Sequence, residues 1–198
     1  MRGAATGMGE GSNQGEVLRL PGRAAVVRVL GLDPGSRLTG WGVVEGEERA
    51  PALLAHGQIA LPRAKGRPHA LDRLQHELAA LLARYRPDVA VLESSFAARY
   101  PASSLALAEV RGATLAVLGS WGGAVQEYPP AQVKAAIVGH GRADKRQVAF
   151  VVQHTFGLPT PPPSDAADAI ALALCYLRLR CLDAWRRGVL VSYPADWA

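Results

Sequence analysis

Two short apolar runs, each ending on a carboxylate, constrain this chain more than any other feature of it. Residues 24–32 (AAVVRVLGL) are apolar but for Arg28 and stop at Asp33, while Val89-Ala90-Val91-Leu92 is wholly apolar and stops at Glu93. Runs of this length without alternation read as strands buried on both faces. Pro34-Gly35-Ser36 turns the chain after the first run. Residues 39–44 (TGWGVV) and about 52–61 (ALLAHGQIAL) then read as two further strands on short connections, an antiparallel meander.

Beyond this the spacing becomes helical. Between Pro68 and Tyr85, Leu71, Leu74, Leu78, Leu81, Leu82 and Tyr85 recur on one face, with Asp72, Arg73, Gln75, His76 and Glu77 on the other. After the Glu93 strand, a helix is predicted over Ser103–Leu118 and a fifth strand over Ala124–Tyr128. Asp144 is placed to cap a helix from Lys145 to Thr155 that Gly157 ends. The proline-rich stretch 159–163 forces an extended approach to a last helix near Asp165. Its apolar stripe is Ala166, Ala169, Ile170, Ala173, Leu174 and Leu177. The order predicts an α/β fold: a mixed five-stranded sheet flanked by helices on both faces.

The length of 198 residues suits one domain, expected at 24–182. The Gly-rich, polar segment 1–23 reads as a flexible extension and 183–198 as a tail. A net charge of +5 suits a polyanionic partner, although only three of the basic residues are lysines, Lys65, Lys134 and Lys145. No apolar run approaches a membrane span, and the first residues lack the apolar middle of a signal peptide. Cys175 and Cys181 fit neither a zinc knuckle nor a redox pair. Reduced thiols in a cytoplasmic protein are the expectation.

The chemistry is written in the acids. If the two carboxylate-tipped strands are neighbours, Asp33 and Glu93 face each other across roughly 5 Å at the strand ends, where α/β folds place ligands. Asp165 and Asp168, three apart at a helix start, project from one face. Four carboxylates so close repel, so either their pKa values rise or cations hold them together. With no soft Cys or His cluster nearby, Mg²⁺ or Mn²⁺ is the natural cation, and two such ions would hydrolyse a phosphodiester. Each acid alone has a plainer reading: a turn at Asp33-Pro34-Gly35, a surface position at Glu93, a helix cap at Asp165 and Asp168. Capping needs no acid at the ends of two separate strands.

Residues 31–42 (GLDPGSRLTGWG) resemble the opening motif of the bacterial RuvC Holliday-junction resolvases. The resemblance runs on in family order through 91–96 (VLESSF), 105–112 (LALAEVRG), 128–134 (YPPAQVK), 138–145 (VGHGRADK) and 164–169 (SDAADA), covering about 25–180. It implies an RNase H-like fold, a homodimer on four-way junction DNA, and paired nicks made with Mg²⁺ or Mn²⁺, two ions per site. It also implies the branch-migration proteins RuvA and RuvB as partners. The family's four acids fall on Asp33, Glu93, Asp165 and Asp168. Phe96 matches an aromatic that stacks on bases, and Lys134 and Lys145 match basic positions at phosphate or active site. Arg99, Arg142 and Arg146 are further phosphate candidates. One departure is Tyr100-Pro101, where family members commonly carry Asn.

Two other classes compete. A junction-binding protein without catalysis would gain nothing from acids that repel its polyanionic ligand. A phosphotransferase of the actin and sugar-kinase type also opens on an Asp-bearing strand and hairpin, but needs a longer, duplicated domain.

Overall fold

The computed structural model describes residues 26–47, 49–62, 64, 66–94 and 101–186, with the side chains of 101–104 and 181–186 left aside. Strands β1 (Val27–Pro34), β2 (Leu38–Glu47) and β3 (Ala50–Ala60) form the expected meander. Helix α1 (Arg67–Tyr85) leads to β4 (Val89–Glu93), helix α2 (Pro101–Trp121) to β5 (Ala124–Tyr128). Helices α3 (Pro130–Val138), α4 (Lys145–Thr155) and α5 (Ser164–Arg186) follow.

The sheet order is β3-β2-β1-β4-β5, with β4 parallel to β1 and β5 parallel to β4. Both carboxylate-tipped strands therefore lie side by side at the sheet's centre, buried as their unbroken apolar runs require. Alternation along β1 divides the core. Leu30 and Leu32 join Val43, Ala90 and Leu92 against Leu74, Leu78 and Leu82 of α1 and Val110 and Leu118 of α2. On the other face Val29, Val44, Val89 and Val91 meet Ile170, Leu174 and Leu177 of α5, with Val133 and Ile137 of α3 and Val148 and Val152 of α4 outside them. Helices cover both faces, as the sequence predicts.

Helix α4 begins where expected. Asp144 accepts from the Gln147 backbone N–H at 2.9 Å, and the Gln147 side chain accepts in return from the Asp144 backbone N–H at 2.9 Å. Helix α3 was not foreseen. Its sequence signals are Pro130 at the first helical position and Gly139, at φ 94°, closing the end. Arg28, the one charge in the first apolar run, stays at the strand's outer end. Its Nε donates to Glu45 at 2.7 Å and its Nη1 to the Tyr85 carbonyl at 2.6 Å. Cys175 is buried against α5's neighbours, and burial pushes its thiol up to about 12, consistent with a reduced packing residue. The boundary expected after residue 23 lies outside the described residues, and the one expected after 182 falls within α5, which runs to Arg186.

Candidate active site

One transverse row of residues crosses the whole sheet. Asp33 pairs with Gly40 on β2, and Gly40 with Gln58 on β3. On the other side β1 and β4 are in register up to Leu32 and Leu92, so Glu93 lies beside Asp33, and Glu93 pairs with Tyr128 on β5. Paired residues share a face. The row Gln58–Gly40–Asp33–Glu93–Tyr128 therefore lies on the α5 face, at the ends of β1 and β4.

Helix α5 reaches this row because glycines clear its path. A Cβ on Gly40 would sit 1.9 Å from the Asp165 carbonyl oxygen, and one on Gly31 would sit 1.8 Å from that of Ala169. Gly42 receives Ile170 in the same way, its added Cβ falling 2.5 Å from that side chain. Small residues on the helix (Ala166, Ala169, Ala173) complete a backbone-to-backbone contact. The first turn of α5 is thus pressed onto the acid row. Asp165 is the helix's second residue, inside the helix and not its cap.

The four acids lie near enough to act on one another's charge. Burial, then the charges of Asp168, Glu93 and Asp165, pushes Asp33 up to about 7, against the opposing pull of Lys145. Burial and Asp168 raise Glu93 as well, opposed by Lys145, Lys134 and Arg111. Lys145, at the start of α4, donates from Nζ to Asp168 Oδ2 at 2.8 Å, and that bond raises its own pKa. An ammonium among these acids marks the place as one that draws a cation. Among the described residues no three His, Cys, Asp or Glu side chains close into a ready cage. The donor set is hard carboxylate oxygen, which fits Mg²⁺ or Mn²⁺.

Residues 29–176 match the family model described as Crossover junction endodeoxyribonuclease RuvC. The chain belongs to the RuvC family. It is 47% identical over 150 residues to the crossover junction endodeoxyribonuclease RuvC of Alkalilimnicola ehrlichii, covering 76% of this chain and 90% of that one. The RuvC of Halorhodospira halophila is 44% identical over 155 residues, 78% of this chain and 92% of its own. Among solved structures, the T. thermophilus RuvC in complex with Holliday junction substrate superposes with a TM-score of 0.75 at 31% identity, over 79% of this chain and 96% of that one. The architecture is accordingly RNase H-like, as the resemblance implies.

All four candidate acids of this RuvC-family chain fall inside the matched segment. Lys134, on α3, is half-buried and close enough to Glu93 to lower its pKa. Arg142 and Arg146 are exposed around the start of α4, beside Lys145. Phe96 and Arg99 lie outside the described residues. Two residues about the site were not singled out by the sequence. Arg111 of α2 donates to the Glu93 carbonyl oxygen at 2.7 Å and pairs with Glu127 at 2.7 Å, tying β4's end to β5. Gln58 donates from Nε2 to Asp165 Oδ2 at 2.9 Å. Arg111 stood within the 105–112 block, but nothing in a lone Gln on a strand announces a partner 107 residues away.

Proposed function

We propose that this chain is a structure-specific endodeoxyribonuclease that resolves Holliday junctions by paired, symmetric, metal-dependent phosphodiester hydrolysis in recombination and DNA repair. The observation that carries the reading is the acid row, Asp33 beside Glu93 at the centre of the sheet, with Asp165 and Asp168 pressed onto it by α5.

Asp33, Glu93, Asp165 and Asp168 are the residues that would hold two Mg²⁺ or Mn²⁺ ions. When bound, such ions activate water at one position and stabilise the leaving oxygen at the other. The chain's own residues prepare for this. Burial and the neighbouring acids hold Asp33 up at about 7, and a cation held beside it would favour its charged form. Lys145 neutralises Asp168 and would be within reach of a phosphate oxygen at the site. Arg111 holds the end of β4, and so the Glu93 backbone, at a fixed height against β5. Lys134, Arg142 and Arg146 supply phosphate contacts. Phe96 and Arg99 extend that role to the segment after β4, with Phe96 as a base-stacking platform.

Paired cuts on a junction of near-two-fold symmetry call for a homodimer. The outer face of α2 suits it: Leu105 is 65% exposed, Leu115 37%, and a Cβ added to Gly112 would meet nothing within 4 Å. RuvA and RuvB are the partners this assignment brings with it. The nuclease domain is taken as residues 24–182, with α5 continuing to Arg186. Among the described residues no helix is long and apolar enough to cross a membrane. A cytoplasmic place of work goes with this assignment.

A synthetic four-way junction with Mg²⁺ or Mn²⁺ tests the reading. Wild-type protein should make two symmetric nicks. Asp33→Asn should lose them by at least about 100-fold while binding the junction with unchanged affinity, because a metal ligand goes and the basic contacts stay. No nicking by the wild type with either metal would refute the assignment.

A further inference from the structure

The two acids on α5 are each held from outside the helix, by different kinds of donor. Asp168 receives the Lys145 ammonium from α4, and Asp165 receives the Gln58 amide from β3. An ammonium orients a carboxylate and also cancels its charge. An amide orients it and leaves the charge intact. Gln58 is set at one end of the acid row, across Gly40 from Asp33, and Gly40 is also where the Asp165 backbone comes down on the sheet. Nothing in the packing of β3 asks for Gln there: it is an exposed position on an edge strand, opposite a glycine.

We infer that Gln58 is a positioning residue for Asp165, its side-chain amide fixing one carboxylate oxygen so that the other is presented to a divalent cation. This rests on the reading of Asp165 as a metal ligand. A carboxylate turns freely about its last bond, so a donor that fixes the rotation removes an ordering cost from cation binding. Gly40 and Gln58 divide the task, the glycine admitting the backbone of Asp165 and the glutamine setting its side chain.

A purely structural contact, stitching the start of α5 to the edge strand, would act on stability and not on the metal. Isothermal titration with Mn²⁺ alone, on the full chain without DNA, separates the two. Gln58→Leu should weaken Mn²⁺ binding at least about tenfold, the range expected for a partner of a ligand, with the melting temperature of the metal-free protein little changed. Gln58→Met, near the original length, should do the same and repeats the test should Leu disturb the fold. In nicking assays either variant should need about tenfold more Mn²⁺ for half-maximal rate, yet reach a rate within about twofold of wild type at saturation. Unchanged Mn²⁺ affinity in both variants overturns the inference, whatever happens to stability. Asp165→Asn is the control. If it too binds Mn²⁺ like the wild type, the fault lies with Asp165 as a ligand, and both ideas fall together.

Discussion

The two faces of the sheet are covered by helices on opposite principles. Against α1 and α2 the sheet presents bulk: Leu30, Leu32, Val43 and Leu92 interdigitate with Leu74, Leu78 and Leu118. Against α5 the sheet presents valines farther along the helix but bare glycine beside the acid row. Gly31, Gly40 and Gly42 let the helix backbone lie where side chains would otherwise be. Side-chain packing holds a helix by buried area and tolerates local rearrangement. Backbone contact holds it at one height only. The difference matches what each face carries, since among the described residues the α5 face is the one that bears the candidate acids.

Four substitutions would break or sharpen this contrast. Gly40→Ala should have the largest effect: its Cβ meets the Asp165 carbonyl, so the start of α5 must lift. A displacement on the order of 1 Å at a reacting centre costs about 100-fold in rate, and overpacking costs about 1–3 kcal/mol in stability. Nicking of a junction and urea unfolding would register both. Leu74→Ala, on the other face, should cost about 2–5 kcal/mol of stability and leave nicking per folded molecule within about twofold. Equal loss of rate in the two variants would erase the distinction.

A third concerns pH. The folded protein holds a proton on Asp33 up to about 7, whereas an unfolded chain releases it near 3.8. The native state therefore binds more protons between those values, and metal-free stability should fall as pH rises through that window. Asp33→Asn, which cannot ionise, should flatten that fall and melt about 5 °C higher than wild type at pH 8. Differential scanning calorimetry on the metal-free protein at pH 5 and 8 would read it. The smallest effect is expected at Arg73→Ala on the outer face of α1, where an exposed pair with Glu77 at 3.5 Å should be worth under about 0.5 kcal/mol.

Much of the fold was legible because its elements carry strong periods. The apolar runs of β1 and β4, the leucine face of α1 and the capping residue Asp144 each declare themselves within a few residues. Helix α3 did not, because Pro129-Pro130 after a strand reads as a break although proline suits a helix's first turn. In the site, the acids could be found one at a time, each at the end of an element. Their row could not, since register is set by pairing across the sheet and no local pattern encodes Asp33 opposite Gly40 opposite Gln58. The glycines were invisible in this role for the same reason: TGWG and GLD look like turn and strand until α5 is laid over them.

The bond from Lys145 to Asp168 has a consequence for how such a centre is filled. A cluster of like charges that depended wholly on imported ions would resist closing until they arrived. This one brings along a movable counter-charge on a long, exposed stem, so the polypeptide can take its final shape first. Were a divalent cation to load there, one positive tenant would be exchanged for another, and the freed ammonium would stay beside the acids on its own stem.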